Sequence, residues 1–574
     1  MTRWLLAPLL AAALATAAAA DPLRAIPNTA TLVVSVENPR KLVEAVTSLD
    51  LYGKYEGLPQ VKQLLQSAAA RRAFQLLAHV EKSLGTKWPQ LLENIAGNGI
   101  ALGAVPTSDP APVVLAMEGR SEKGVADGFA LLLELIEAEL THQSGADTPV
   151  SLPRGAHAGA TTASLGEVRI ARAGKTILLA SSESLLHAAI DRAAAKSDAD
   201  SVLTVKGFSD AMKLVAPKPL AALWSNLLPV KETKAGRDFF AATRKDFLQT
   251  IVVGSTIDAV RRSDFVAVGL HETPKGFKLS VRLPAKRDGL PKEFGLHIPA
   301  TGDTPGTLPL LEPPGVLYSQ SLHLDLAAMW KDRTALFNEL VLKDLVKGVT
   351  DASKLLPGTG IEKLFALSGP HHRFVAVERG HDQYAVKPGT PLPELALVST
   401  MKHPDFAAGA ATTLRAAGLV ASLQFKLKMS EETVGGVKIV SYRFPEKGDY
   451  PGDDDNYRFN FVPCFAATDT EFLVATSPRL LKDLLVELKK PTRTTDTSAA
   501  VWRGKVYGSG AATAIRNRPD PVITNAVLSR GIGLKQAKAE VGELAAFLES
   551  FGTVGFAMDH ATDAFKFDLE WNRK

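Results

Sequence analysis

The residues with the clearest capacity for chemistry are histidines and carboxylates that lie close together in the second half of the chain. Neutral imidazole and carboxylate groups are the ligands that zinc and similar ions prefer. A strand-like run at 374–377 divides the group, and a straight strand of that length holds its ends roughly 15 Å apart, beyond the reach of one ion. The sequence therefore predicts either a metal site or, as the favoured alternative, solvated histidines at strand ends. The candidate ligands are His371, His372, Glu378, His381 and Asp382.

A second candidate metal site is an acidic loop further along the chain. Asp453, Asp454 and Asp455 offer the hard oxygen ligands that calcium prefers. The loop lacks the spacing of an EF-hand, which needs a glycine at its sixth place and a glutamate at its twelfth. The alternative, which the composition favours, is a loop between strands that charge keeps soluble.

Motifs for nucleotide binding fail on spacing. Gly97, Gly99 and Gly103 approach a dinucleotide fingerprint, but there is one residue too many before the third glycine, and the motif leads into a strand instead of opening a helix. We find no phosphate-binding loop with glycine, four residues and then Gly-Lys-Ser or Gly-Lys-Thr. We therefore expect no cofactor.

Composition argues against nucleic acid as a partner. The chain has 574 residues, of which 46% are hydrophobic and 22% charged, as in an ordinary globular protein. Its formal net charge of +5 is small for this length, and no stripe of basic residues is interleaved with aromatics. The only cysteine, Cys464, lies in an apolar run, which predicts a buried and unreactive thiol.

The first residues predict export. Arg3 precedes an apolar run from Trp4 to Ala15, and Ala18–Ala20 provide small residues at a cleavage site. This pattern is typical of a secretory signal peptide over 1–20, so we expect a periplasmic or extracellular protein that begins near Asp21. No later window holds 18 apolar residues without a charge, which predicts no transmembrane segment after cleavage.

One structural plan recurs along the chain. A short apolar run passes into a capped helix at 177–190, and the same pattern returns at 472–485. Other matching landmarks recur at offsets of about 280 to 295 residues. We infer a tandem duplication whose copies pack as an internal pseudo-dimer within a chain that is otherwise a monomer.

The domain boundaries follow from this duplication. The first unit spans 21–285, a linker rich in proline and glycine spans 286–315, and the second unit spans 316–574. Polar stretches near 196–201 and 491–498 suggest a further boundary inside each unit. We expect the linker to run over a surface.

Within each unit the sequence predicts an α+β fold. Paired apolar runs separated by short turns indicate antiparallel strands, as in the run pair 554–558 and 565–571. Amphipathic stretches with one apolar face, such as 125–140, indicate helices that pack on a sheet and leave their other face in water. We therefore expect two units, each a mainly antiparallel sheet with helices packed on it.

The layout resembles a bacterial family of exported proteins known only as a domain of unknown function. The resemblance rests on Ile26 and Pro27, the strand entry at Pro110–Pro112, the strand at 435–442, and the strand and helix at 179–186. It covers about two thirds of the predicted mature chain. It implies export and an α+β fold, and it implies no activity.

The duplication also tests for an active site, because a site intrinsic to the repeated unit would place polar groups at matching positions. The matching positions are prolines, glycines, capping serines and apolar residues, with no matched acids or histidines. We therefore predict a non-enzymatic cell-envelope binding or structural protein, whose partner is an envelope protein, a glycan or a lipid. The alternatives are an envelope hydrolase with a metal site in the second unit, and a carrier of an apolar ligand.

Overall fold

The computed structural model shows two compact units. One unit contains the residues up to Tyr52 together with Lys62–Thr233 and Asp264–Glu272, and the other contains Gly53–Val61, Lys234–Ser263 and Thr273–Lys574. The structure describes residues 21–48, 50–144, 149–195, 197–242, 244–299, 305–354, 360–448, 450, 452–490 and 498–574. The predicted signal peptide lies outside these residues, as do 300–304 of the predicted linker, residue 196 and residues 491–497.

The two compact units interleave along the chain, whereas the predicted units follow one another. The compact units are defined by spatial proximity and the predicted ones by sequence similarity, so the two divisions describe different properties. The predicted boundaries at 285 and 316 therefore stay a prediction. The predicted linker contributes to hydrophobic cores as well as to the surface, because Leu296 and Leu311 are fully buried.

The first unit is built on an antiparallel sheet with the strand order β4-β5-β6-β7-β3-β2-β1-β8-β9. Its first strand lies inside the sheet, between the second strand and the eighth. The strands are β1 (Leu32–Val36), β2 (Gly99–Ala104), β3 (Val113–Glu118), β4 (Arg154–His157), β5 (Ala160–Leu165), β6 (Val168–Ala173), β7 (Thr176–Ala180), β8 (Ala221–Asn226) and β9 (Phe265–Thr273).

The second unit has an antiparallel sheet with the order β14-β15-β16-β17-β13-β12-β11-β18-β19-β20-β10. Its strands are β10 (Gly276–Leu283), β11 (Val316–His323), β12 (Ser368–Val377), β13 (Glu394–Met401), β14 (Lys428–Val434), β15 (Val437–Arg443), β16 (Cys464–Ala467), β17 (Glu471–Ala475), β18 (Trp502–Tyr507), β19 (Thr553–His560) and β20 (Phe565–Asn572).

The two sheets share one connection pattern. The strand order from β4 to β9 in the first unit can be compared with the order from β14 to β19 in the second. At every position the strand of the second unit has the number of the first-unit strand plus ten. Such agreement is what a duplication would leave, although the duplication itself stays a proposal. Antiparallel sheets with helices on them confirm the α+β fold.

Helices connect and cover the strands. The α-helices are α1 (Pro39–Thr47), α2 (Asp50–Gly57), α3 (Pro59–Leu65), α4 (Ala68–Leu84), α5 (Trp88–Ala96), α6 (Glu122–Ser144), α7 (Glu183–Ala194), α8 (Lys206–Leu214), α9 (Leu228–Glu232), α10 (Lys234–Ala242), α11 (Phe247–Arg262), α12 (Leu326–Lys331), α13 (Arg333–Leu336), α14 (Glu339–Lys354), α15 (Ile361–Leu367), α16 (Asp405–Phe425), α17 (Pro478–Leu488), α18 (Gly508–Asn517), α19 (Asp520–Arg530) and α20 (Leu534–Phe551). Short 3-10 helices lie at Pro22–Ala25, Val202–Thr204, Arg287–Gly289, Lys292–His297 and Tyr457–Asn460.

The repeated strand-to-helix pattern forms as the sequence predicts. Ser182 caps α7 by accepting a hydrogen bond from the Leu185 amide at 3.3 Å, and Ser477 caps α17 by accepting one from the Leu480 amide at 3.4 Å. Each helix then buries its predicted apolar face on its own sheet. The buried side chains are Leu186, Ala189 and Ile190 in α7, and Leu480, Leu481, Leu484 and Leu485 in α17.

Among the described residues, α16 is the one helix whose length and composition would allow it to cross a membrane. It carries Arg415 near its middle. The prediction of no transmembrane segment after residue 20 stays a prediction.

Candidate binding cleft

The predicted histidine ligands are bonded within the fold. Strand β12 begins at Ser368, so His371 and His372 lie inside the strand and are buried, and the predicted solvated strand-end position is wrong for both. His371 Nε2 lies 2.9 Å from the Pro305 carbonyl oxygen, and His372 Nε2 lies 3.0 Å from that of Leu324. Burial lowers the pKa of both rings.

The remaining members of the first candidate site point to separate partners. Glu378 is buried and accepts a hydrogen bond from Arg518 Nη2 at 2.7 Å. His381 Nε2 lies 2.8 Å from the Leu392 carbonyl oxygen, and Asp382 forms an ion pair of 2.8 Å with Arg479. The structure thus holds each of these side chains in its own local interaction.

The acidic loop shows no shared ligand geometry either. Asp453 pairs with Arg458, whereas Asp454 and Asp455 are exposed. No group of three or more histidine, cysteine, aspartate or glutamate side chains that could hold a metal ion occurs in the described part of the chain. Both metal sites stay predictions to which this geometry adds no support.

A cleft of about 480 Å³ lies on the sheet of the second unit. Its floor is Gly555 and Ala557 of β19, whose neighbours across the ladder carry charge. In one row Arg503 is paired with Ala557 and Ala557 with Asp568, and in the next row Lys505 is paired with Gly555 and Gly555 with Glu570. The cleft thus repeats one arrangement twice, with a cation, a small residue and an acid side by side.

Strand spacing fixes the width of this cleft. Neighbouring strands lie about 4.8 Å apart, so the backbones that carry the cations and the acids are separated by roughly 10 Å. An ion pair needs nitrogen and oxygen within about 4 Å, and the two residues of the middle strand have no long side chain to fill the gap. The result is a trench with a positive wall on β18 and a negative wall on β20.

Gly555 keeps the floor of the trench open without being needed for packing. A Cβ atom built on Gly555 would approach nothing closer than the Gly504 carbonyl oxygen at 3.6 Å, an ordinary contact. Gly504 on the neighbouring strand differs, because a Cβ there would lie 2.6 Å from the Phe556 ring. A larger side chain at 555 would therefore enter the trench instead of disturbing the core.

The positive wall is supported by the segment that precedes β11. Lys505 Nζ lies 3.0 Å from Glu312 Oε1, and the Tyr507 hydroxyl donates to the same oxygen. Arg503 Nη2 donates to the Leu308 carbonyl oxygen at 3.0 Å. Pro309 and Leu310, between these contacts, complete the side of the cleft.

The two acids of the negative wall differ in their pairing. Asp568 lies 2.7 Å from Arg282 Nη1 and 2.9 Å from Lys278 Nζ. Burial raises the pKa of Asp568, but hydrogen bonds from Arg282 and Lys278 outweigh it and hold that pKa below its ordinary value. Glu570 forms no ion pair with any described residue. Glu570 is therefore the acid of the cleft whose charge remains for a ligand.

Other titratable groups with strongly shifted pKa values lie outside the cleft. In the first unit, Glu118 is buried at the end of β3, and burial raises its pKa to about 7. In the second unit, burial lowers the pKa of His297 and His323 to about 4 and that of His560 to about 3. The environments of these side chains depend on tertiary burial, for which the sequence gives no local signal.

Sequence reasoning missed the residues that build the cleft. Arg503 and Lys505 alternate with uncharged residues, as do Asp568 and Glu570, and this period of two indicates a strand with one polar face. That alternation is the one signal the sequence offered. The pairing of these strands across β19 could not be read from it.

No family model matches the chain, and no curated protein matches it. A solved crystal structure of TP0453, in its crystal form I, is similar with 10% sequence identity and a TM-score of 0.22. That similarity covers 47% of this chain and 81% of the TP0453 chain. A TM-score of this size carries no argument about fold or function.

Proposed function

We propose that the chain is an exported, non-enzymatic binding protein of the cell envelope, whose cleft holds a small zwitterionic ligand the size of an amino acid or short peptide. The observation that carries the proposal is the pair of charged rows across β18, β19 and β20. The volume of the cleft falls within the range of small-molecule sites, about 300 to 1,000 Å³.

The two walls give the ligand an orientation. A ligand amine would approach Glu570, which lacks an ion-pair partner among the described residues. A ligand carboxylate would approach Lys505 on the opposite wall, where the ammonium group is already held in place by Glu312. Because its position is fixed by that ion pair, Lys505 loses little further side-chain entropy when a ligand binds.

The polar groups of the cleft suit binding better than catalysis. Neither histidine nor cysteine occurs among the described residues that line it. Its serine, Ser498, accepts a hydrogen bond from the Ala500 amide at 3.1 Å, and no hydrogen bond joins it to a base among the described residues that would make it a nucleophile. The alternatives of a metal-dependent hydrolase and an apolar carrier have no comparable supporting geometry in the described residues.

Calorimetric titration of residues 21–574 with a panel of amino acids and dipeptides tests the proposal. Glu570→Gln removes the charge at nearly constant shape, and Gly555→Leu fills the floor, so each should weaken binding by about tenfold or more. Glu272→Gln, which changes an exposed acid on β9 in the first unit, is the matched control and should bind like the wild type. If no member of the panel binds, or if Glu570→Gln binds as tightly as the wild type, the proposed function is wrong.

The export part of the proposal has its own test. Mass spectrometry of the chain purified from envelope and cytoplasmic fractions of its native host should find it in the envelope or medium, with its first residue at or near Asp21. A chain that retains Met1 and stays in the cytoplasm would contradict export.

A further inference from the structure

Helix α16 is attached to its sheet by one face only. Phe406, Ala410 and Leu414 point towards the sheet and join a core cluster with Phe465 and Phe472. Asp405 and Arg415 are the only charged residues along its 21 positions. An ordinary surface helix would carry polar side chains on the face that remains.

The other face of α16 presents an apolar ridge instead. Leu419, Val420 and Leu423 are 64%, 65% and 80% exposed and lie within one turn of each other. The ridge continues through Phe425 at the end of the helix, which is 39% exposed. Met429 of β14 is 54% exposed, and its sulfur lies 4.0 Å from Arg415 Nη1. Arg415 lies one helical turn before Leu419. These five apolar residues, from Leu419 to Met429, form one surface, which we call the α16 ridge.

The two charged residues between Phe425 and Met429 of the α16 ridge are positive. Lys426 and Lys428 follow the helix directly, are exposed, and form no ion pair with a described residue. The acids on β14 are already neutralised by neighbours within the unit. Their ion pairs are Glu431 with Arg415 and with Lys438, and Glu432 with Lys482.

We propose that the α16 ridge binds the surface of an anionic lipid bilayer, with the helix lying in the plane of the interface. Aliphatic side chains would enter the acyl region while the two lysines contact anionic headgroups. The inner face of the helix stays on the sheet, so the helix inserts along its side and does not cross the bilayer. This inference is independent of the ligand proposed for the cleft.

The chemistry of the ridge favours lipid over a protein partner. Protein interfaces are enriched in aromatic residues and arginine at their centres and carry hydrogen bonds. The centre of the α16 ridge is Leu419, Val420 and Leu423, which offer no side-chain hydrogen-bonding group. The helix also has the hydropathy of a membrane-spanning segment.

Vesicle flotation of the mature chain, residues 21–574, tests the inference. One set of vesicles contains phosphatidylcholine alone, and the other contains phosphatidylcholine mixed with phosphatidylglycerol. The wild type should float with the mixed vesicles and bind them more tightly than the neutral ones, with a difference that shrinks as salt is added.

Paired variants separate the apolar and the charged contributions. Leu419→Gln with Leu423→Gln should lower the partition coefficient on mixed vesicles by about tenfold or more, because two leucine side chains no longer gain from burial. Lys426→Gln with Lys428→Gln should abolish the preference for anionic vesicles. The control, Leu340→Gln with Leu528→Gln, alters leucines that are 75% and 79% exposed on α14 and α19 and should float like the wild type.

Three outcomes would overturn the inference. The first is that the wild type binds neither kind of vesicle. The second is that the control variant loses as much binding as the ridge variant. The third is a dimer, detected by light scattering, that the leucine variant dissociates while the wild type does not bind vesicles. Equal circular dichroism spectra for all variants will show that each is folded.

Discussion

His560 gives the strongest prediction about stability, because it is a buried base without a full set of partners. It is 1% exposed, and its Nε2 lies 3.1 Å from Ser255 Oγ. Its Nδ1 has no hydrogen-bond partner among the described residues. Burial lowers the pKa of His560 to about 3, with further lowering by His297, Arg262 and Arg287.

The direction of the pH effect follows from the two pKa values. In the unfolded chain the imidazole has its ordinary pKa of 6.5, so below pH 6.5 the unfolded state binds a proton that the folded state excludes until about pH 3. The contribution of the neutral His560 ring to the free energy of unfolding is fully present above pH 6.5, and it is lost as the pH falls from 6.5 towards 3. The contribution of one such group approaches about 1.4 kcal/mol per pH unit well below pH 6.5, and it amounts to about 1.6 kcal/mol between pH 6.5 and pH 5.

His560→Gln removes this titration and keeps an amide group near the position of Nε2. The free energy of unfolding is measured by urea denaturation at pH 7, 6 and 5, with tryptophan fluorescence as the signal. The variant will be less stable than the wild type at pH 7, because a buried contact changes, but its stability should fall less steeply towards pH 5. The slopes should differ by about 0.7 kcal/mol per pH unit between pH 7 and pH 6 and by about 1.2 kcal/mol per pH unit between pH 6 and pH 5.

The control for this experiment is His403→Gln, which alters an exposed histidine beside Asp405. Its pH dependence should follow that of the wild type within a few tenths of a kcal/mol per pH unit, because exposed pairs contribute little. Parallel curves for His560→Gln and the wild type between pH 7 and pH 5 would refute the reasoning, since the ring would then titrate alike in both states.

Three further predictions concern other buried groups. Burial raises the pKa of Glu118 from 4.5 to about 7, so the folded state loses stability as the pH rises through this interval. In a series of melting curves, Glu118→Gln should therefore raise the melting temperature relative to the wild type more at pH 8 than at pH 5. Leu481 is fully buried against β13 and β17, so Leu481→Ala should lower the free energy of unfolding, measured in urea, by about 2 to 5 kcal/mol. The control Leu528→Ala, at an exposed site, should change that free energy by less than about 0.5 kcal/mol. Burial raises the pKa of the Cys464 thiol far above its ordinary value, so the native chain should resist a thiol reagent at pH 8 and react fully in urea; rapid native labelling would show that the thiol is accessible.

Local structure could be predicted because its causes are local. The prediction of two antiparallel strands at 554–558 and 565–571 is confirmed within two residues at each end by β19 and β20. The caps at Ser182 and Ser477 form as predicted, and Cys464 is buried as predicted. The capping interactions lie within three residues along the chain, and the apolar run around Cys464 indicates a buried strand.

The candidate sites could not be predicted, because their causes are distant. The ring of His371 is held by the carbonyl of Pro305, and that of His372 by the carbonyl of Leu324, neither of which a search for ligand spacing considers. The cleft depends on which strands neighbour β19. A register shift of one residue would turn Lys505 and Glu570 to the opposite face of the sheet.

The matched strand orders show which residues of the first unit stand at the position of the cleft. Strand β8 occupies the position in its sheet that β18 occupies in the second. Aligned on the preceding strands β1 and β11, Ala222 and Trp224 stand where the second unit has Arg503 and Lys505. Their partners on β9, Gly269 and Ala267, are small, as are Ala557 and Gly555 on β19.

The residues of the floor are therefore small in both sheets, whereas the aligned residues of the neighbouring strand differ. In the first unit Trp224 is 3% exposed and packs edge-on against Phe208 of α8, so hydrophobic core occupies the volume above the small residues. In the second unit Lys505 and Glu570 replace that core with a charged trench. If the shared order reflects a duplication, the two copies differ here by an aromatic side chain in one and a charged side chain in the other. Arg503 and Lys505 thus have no charged counterpart at the matching positions of the first sheet, in keeping with the absence of matched acids and histidines in the sequence.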